Sequence, residues 1–422
     1  MNGLFTSRTT VVPPLYWMQN AAIFASCANL FSTALANLGF VVFLGLFFWT
    51  CASKNRHHLA TRNFPWMVAC AIALHLAWQV VGLSYTDAPM AHALKSIFTD
   101  RKIIYVLPLV LVFSDELPKR RFLIAFFVTS SIALALSFAL KVPVLNPAQK
   151  FNPAWVLHSH ATQGMVFAMC SFLAAWFASQ CPRPLYKFAL YALALAFLLN
   201  IVWVTPGRSG YVVFLVLLVV YFFFRRGFKG LVAGLLVAAA VGGAAFLTSS
   251  SIRDRVMEGI TEAQKYSFDV NETSLGRRMV MYETTWEMIR QNPVLGVGTG
   301  GFEQQFSAMA AKKYTGWRAM PFHDPHNQYL FVWSENGLIG LGIFVFLLLT
   351  IWRQCMRGDV YANMAGGCLL AWCATSLFSG HFRTFPEGHM IAFIVGTLMI
   401  SRHPRADEGG APEGDSLMNV RR

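Results

Sequence analysis

Charge is what this sequence has least of. Only 13% of its residues are Asp, Glu, Lys or Arg, against about a quarter in soluble domains. Acids are the scarcer half, 20 against 34 Lys and Arg, for a net charge of +14. With 56% hydrophobic residues and a mean hydropathy of +0.49, a soluble globular chain is excluded. Apolar runs of about 20 residues recur instead, as a polytopic membrane protein requires. Other absences narrow the chemistry. Of the eight cysteines, Cys27, Cys51, Cys70, Cys170, Cys368 and Cys373 lie in apolar runs, and Cys181 and Cys355 in short basic loops. None falls in a long polar segment, so no disulfide framework is expected. No Walker lysine, no Asp-x-Asp in the first outer loop and no glycine-flanked nucleophile elbow is present, which weighs against P-loop, metal-dependent and triad chemistry. No basic leader beyond Arg8 precedes the first apolar run, so no cleavable signal is expected. The positive charge is spread over loops beside apolar runs, without a nucleic-acid-binding module, so no nucleic-acid partner is expected.

The apolar runs predict an all-α polytopic membrane protein with 11–12 transmembrane helices. Residues 16–51 form a run of double length, either two helices joined near Ser32 to Asn37 or one bent helix. Spans follow at 64–83, 94–114, 122–141, 160–179, 185–205, 209–224 and 229–249, and, after a long polar stretch, at 337–353, 360–380 and 385–401. Basic clusters at Lys54/Arg56/Arg62, Lys119/Arg120/Arg121, Arg183/Lys187, Arg225/Arg226/Lys229 and Arg353/Arg357 occupy every second loop. By the positive-inside rule these loops are cytoplasmic and the 250–325 segment lies outside. The expected organisation is therefore 1–249, N-terminal membrane helices; 250–325, a large external helical region; 326–401, a histidine-bearing helix and the last spans; and 402–422, a cytoplasmic disordered tail.

The outer side is basic too, with Lys95, Arg101, Lys102, Lys141, Lys150, Arg208, Arg277, Arg278, Arg290, Lys312, Lys313, Arg318 and Arg383 among those mapped to it. Such a surface suits an anionic ligand such as a pyrophosphate lipid, or anionic membrane lipid in general. Within 250–325 three helices are predicted: 251–266, 275–291 with Ser274 as N-cap, and 302–313. On the second, Arg278, Tyr282, Trp286 and Ile289 share a face. Arg278 thus lies on the apolar side, an expensive place for a charge without an anionic partner, whereas Arg277 meets water. The glycine-rich run Gly296 to Gly301 reads first as a tight turn and second as a phosphate cradle. Arg208, in the Thr-Pro-Gly-Arg-Ser-Gly turn, either takes an anionic partner or snorkels to head groups.

The stretch 321–340 concentrates the remaining polar groups. Asp324-Pro325 reads as a helix start, with Asp324 as N-cap, Pro325 at the first helical position and His326 in the first turn. Asn336-Gly337 reads as its stop. His326, Tyr329, Leu330, Trp333 and Gly337 then recur on one face. An imidazole at a helix N-terminus tends to be neutral and able to accept a proton; the plainer alternative is a histidine that only caps or packs. His323, Asp324 and His326 are close enough to raise a metal site, but three convergent ligands are not evident, and no metal ligand is assigned.

The motif H-N-x9-G-x-x-G at His326, Asn327, Gly337 and Gly340 resembles the signature of bacterial O-antigen ligases, as do Arg278 followed by Asn292 to Phe302 (NPVLGVGTGGF) and the Gly-Arg-Ser-Gly turn at Arg208. The resemblance covers residues 160–401 in motifs and the whole chain in topology, and extends to the O-antigen polymerases and protein O-oligosaccharyltransferases of the same superfamily. It implies a GT-C-like membrane glycosyltransferase of the Gram-negative inner membrane, with its active site facing the periplasm. Such an enzyme moves an O-antigen glycan from undecaprenyl diphosphate to a sugar hydroxyl of lipid A-core, completing lipopolysaccharide with inversion and without metal, nucleotide or other cofactor. The implied site is His326 activating the acceptor, with Arg208 and Arg278 on the diphosphate. Asn327, His323, Tyr282, Trp286, Tyr329 and Trp333 are further substrate-binding candidates. An O-antigen polymerase is the alternative. A lipid-linked sugar transporter is a weaker third reading, because the unusual charges sit at the outer boundary and no internal repeat is seen.

Overall fold

In the computed structural model, residues 13–53, 59, 64–142, 155–204, 208–265 and 272–399 are described, and their regular structure is entirely helical. The basic cluster at 54–62, the turn at 205–207 and the tail from 400 lie outside them. By length and composition, six helices among the described residues can cross a membrane, so the protein is an all-α polytopic membrane protein. Its outward faces agree: Phe48, Trp49, Leu185, Phe188, Phe228 and Leu247 are each more than half exposed, a surface stable only against lipid.

The double-length first run is two helices, α1 (Pro13–Ala28) and α2 (Thr33–Ala52). Ser32 separates them because it takes the N-cap, its hydroxyl accepting from the Leu35 N–H. Helix α3 (Trp66–Gly82) follows. The expected span 94–114 is instead broken: an amphipathic α4 (Met90–Asp100), a 3-10 turn at Arg101–Tyr105, and a short α5 (Val106–Val112). The break sits beside Lys102. This residue is only 2% exposed and donates to the Thr384 carbonyl at 2.9 Å, so it is not part of a free basic surface.

Helices α6 (Glu116–Ala139) and α7 (His160–Gln180) come next, then α8 (Pro184–Leu199) with a π turn at Asn200–Val204. Helix α7 is the core element. It is buried along most of its length and packs against α8 and α9. Helix α9 (Arg208–Thr248) leaves helical geometry at Arg226 and Gly227, where the left-handed φ of 58° at Gly227 reverses the chain. Its halves form a hairpin so close that a Cβ on Gly230 would lie 1.9 Å from the Phe222 carbonyl oxygen. Two expected spans, 209–224 and 229–249, are thereby accounted for.

Helices α10 (Ser250–Lys265), α11 (Ser274–Gln291) and α12 (Phe302–Lys313) fill the polar segment, as the sequence pattern predicts. The cap of α11 is Thr273, not Ser274: the Thr273 hydroxyl accepts from the Gly276 N–H at 2.9 Å. Helices α13 (Gln328–Met356), α14 (Val360–Thr375) and α15 (Phe385–Leu398) close the bundle.

Candidate functional site around His326

Helix α13 is two helices joined at Gly337, whose φ of 70° and ψ of −177° end the first. The glycine-rich loop is built against that joint. The N–H groups of Val297 and Gly298 donate to the carbonyls of Ser334 and Glu335 (3.0 and 2.9 Å), at the end of the short helix. The N–H groups of Leu338 and Ile339, at the start of the next, donate back to Pro293 and Val294 (3.0 and 3.4 Å). The orphan groups of two helix ends are thus satisfied by one loop. A Cβ on Gly337 would sit 2.0 Å from the Val294 oxygen, and one on Gly296 2.6 Å from the Glu335 oxygen. The run is therefore a tight structural turn, whose N–H groups at Val297 and Gly298 are spent on protein carbonyls rather than facing a phosphate. The Gly300 N–H also bonds the buried Glu335 carboxylate, which lies 3.9 Å from the Arg383 guanidinium.

The start of the short helix differs from expectation. Its first residue is Gln328, and Asn327, not Asp324, is the N-cap: the Asn327 side chain accepts from the N–H groups of Tyr329 and Leu330 (3.0 and 3.1 Å). His326 therefore stands outside the helix, with a left-handed φ of 50°, and is not on the face shared by Tyr329 and Trp333. The helix dipole is not what prepares its ring. Asp324 holds it instead, with one oxygen accepting from the His326 backbone N–H at 2.7 Å and lying 3.2 Å from ring Nδ1. The imidazole is half exposed. Burial pushes the Asp324 carboxyl up, but hydrogen bonds from His326 and the charges of His326 and Arg383 outweigh it and leave it below the usual carboxylate range.

The α14–α15 loop closes on this turn. Gly380 lies against Asp324, where an added Cβ would be 3.3 Å from Oδ1. The Gln328 N–H donates to the Ser376 carbonyl (2.8 Å), and the Gln328 side-chain oxygen accepts from the Phe382 N–H (3.1 Å). From α11, the Tyr282 hydroxyl donates to the Leu377 carbonyl at 3.3 Å, and its side chain bonds Asn327 and feels the Arg278 charge. Burial is the largest influence on the Tyr282 hydroxyl and raises it; Arg278 and Asn327 oppose it. Arg278 itself is half-buried, while Arg277 is exposed and paired with Glu272. His326, Asn327, Tyr282 and Arg278 thus form one cluster.

The other candidates lie around it or away from it. Trp286 and Trp333 meet edge-to-face (5.7 Å between centroids), and Trp333 donates to the Pro293 carbonyl at 3.0 Å. Tyr329 donates to the Cys373 carbonyl at 2.8 Å, a packing role that fixes α13 on α14. His323 turns aside to α12, with Nδ1 2.8 Å from the Glu303 carboxylate. Arg208 is the first residue of α9, and its side chain lies outside the described residues. Its helix start is fixed at Gly210, where an added Cβ would lie 3.0 Å from the Cα of Gly164 in the first turn of α7. That turn is joined to the first turn of α15 by a Thr162–Glu387 hydrogen bond. The starts of α7, α9 and α15 therefore share the end of the bundle that carries His326.

Sequence reasoning counted Arg383 only among the outer basic residues and gave it no place in the site; its guanidinium stacks on Phe331 (4.3 Å) and sits between Glu335 and Ser96. It also passed over the ring-holding role of Asp324. The signal for the latter was present, because an Asp two residues before a histidine across a proline forms an Asx turn as readily as a cap.

Comparison with known proteins bears on this cluster. Residues 192–345 match the profile of the O-antigen ligase family, and the matched segment contains Arg208, Arg278 and His326. An uncharacterized protein of Haemophilus influenzae is 24% identical over 268 residues, 61% of this chain and 65% of its own length. An O-antigen ligase of Salmonella typhimurium is 24% identical over 200 residues, 47% of this chain and 46% of its own. Less than two thirds of either relative is thus spanned. The segment that carries Arg208, Arg278 and His326 thus resembles the O-antigen ligase family.

Proposed function

We propose that this protein is an O-antigen ligase. It transfers an O-antigen glycan from undecaprenyl diphosphate to a sugar hydroxyl of lipid A-core, at the periplasmic face of a Gram-negative inner membrane. The observation that carries the reading is the cluster of a carboxylate-held imidazole, His326, beside Asn327, Tyr282 and Arg278, within the segment that matches the family. In the step, the acceptor hydroxyl oxygen forms a bond to the anomeric carbon. The bond from that carbon to the diphosphate oxygen breaks with its electron pair, and the configuration inverts. The hydroxyl proton goes to His326. The negative charge developing on the departing diphosphate needs fixed cations, and permanently charged arginines suit that task. Arg278 supplies one, and we assign Arg208, at the start of α9, as the second. The step draws on no nucleotide or metal.

The test is reconstitution of the full chain with lipid-linked O-antigen and lipid A-core. Glycan-capped lipid A-core is the expected product. Elongation of the lipid-linked glycan alone would identify a polymerase instead, and movement of the lipid-linked glycan across the bilayer without bond formation would identify a transporter.

A further inference from the structure

Asp324 makes two contacts with His326 through a single oxygen, Oδ1. One fixes the backbone. The His326 N–H donates to Oδ1, closing an Asx turn that holds a non-glycine residue at φ 50°, a conformation few side chains adopt unaided. The other fixes the ring. An ionised carboxylate only accepts, so Nδ1 must carry the hydrogen, and the lone pair of the neutral ring is left on Nε2. Asp324 is in turn held by its surroundings: Gly380 leaves room for it and the Arg383 charge favours its ionised form. No other carboxylate is paired with the His326 ring among the described residues, since Glu303 is taken by His323 and Glu335 by Gly300 and Arg383.

We infer that Asp324 is a positioning residue that fixes both the backbone turn and the tautomer of His326, so that Nε2 receives the acceptor proton. The inference rests on the reading of His326 as the base. Arg383 and Gly380 hold the carboxylate where it is needed, which gives the α14–α15 loop a part in the site.

Four full-length variants separate this role from a structural one: Asp324→Asn, Asp324→Ala, His326→Ala and the double variant Asp324→Asn/His326→Ala. Each is measured for transfer from lipid-linked glycan to lipid A-core, with melting in detergent as the control for folding. Asn keeps an oxygen at Oδ1 and hence the turn, but removes the charge. Its kcat is expected to fall about 10-fold with both KM values within about 2-fold of wild type. Ala removes turn and charge together, and its kcat falls further, about 100-fold. In the His326→Ala background, adding Asp324→Asn should change nothing, because a residue acting through His326 has nothing left to act on. A wild-type kcat in Asp324→Asn, or an equal loss with and without His326, overturns the inference while leaving His326 as the base. Wild-type transfer by His326→Ala overturns the base assignment and this inference with it.

Discussion

Replacing Gly337 by Ala tests the joint on which the site helix is hung. The added Cβ would lie 2.0 Å from the Val294 oxygen, 2.4 Å from its carbon and 2.5 Å from the Leu295 carbon. All three are backbone atoms and cannot rotate away. Holding Ala at the φ of 70° and ψ of −177° seen here, a region almost confined to glycine, costs about 1–3 kcal/mol by itself. Relieving the clash means moving the 293–298 loop, which gives up the hydrogen bonds from Leu338, Ile339, Val297 and Gly298, each about 1 kcal/mol net. The sum is on the order of 5–7 kcal/mol, a large part of the ~5–15 kcal/mol that holds a domain folded. The loop end of the site helix should therefore loosen, and His326 with it. Thermal unfolding in detergent and reconstituted transfer are the assays, with Gly342→Ala as the matched control. Gly342 lies in the same helix with open space around it, and Ala there should be neutral or stabilising by up to about 1 kcal/mol. Wild-type melting and transfer in Gly337→Ala would refute the reasoning.

Arg278→Ala should weaken binding of lipid diphosphate and lower kcat by about 10²–10³-fold, and unchanged donor affinity would remove Arg278 from the clamp. Asn327→Ala removes the cap of the site helix and should cost about 1 kcal/mol, read as a lower melting temperature. The Asp324 carboxyl lies below its ordinary value of 3.8. The stability it contributes is therefore fully present above pH 3.8 and lost as pH falls through the lower folded value. Acid melting curves of wild type and Asp324→Asn should run parallel above pH 3.8 and converge below it; parallel curves throughout would contradict this. Chelator should leave transfer unchanged, and a loss restored by Zn²⁺ would contradict the metal-free step.

Most of the helical layout was legible because lipid imposes long apolar runs, and because the double-length first run breaks at Ser32, where a join was expected. The three helices of the polar segment were legible from their periodicity, with α12 matching the expected 302–313. The broken span at 94–114 was not legible. It depends on the burial of Lys102 against the Thr384 carbonyl, a contact across 282 positions of the chain. The start of α13 was misplaced for a local reason. Asp-Pro and Asn-Gln are both acceptable helix starts, and the contacts of Asp324 with His326 and Gly380 decide between them. The second shift follows from the first: His326 owes its setting to a carboxylate rather than to a helix dipole. The partnership of Arg383 with Glu335 and Asp324 also needed coordinates, since it joins the last loop to a helix nearly fifty positions earlier.

The central claim is that His326 takes the acceptor proton while arginine holds the departing diphosphate. It is tested most directly by single-turnover transfer in His326→Ala, with donor binding measured on the same preparation. The account predicts a rate lower by about 10²–10⁴-fold with donor affinity close to wild type. A wild-type rate, or a loss explained wholly by weaker donor binding, would contradict it.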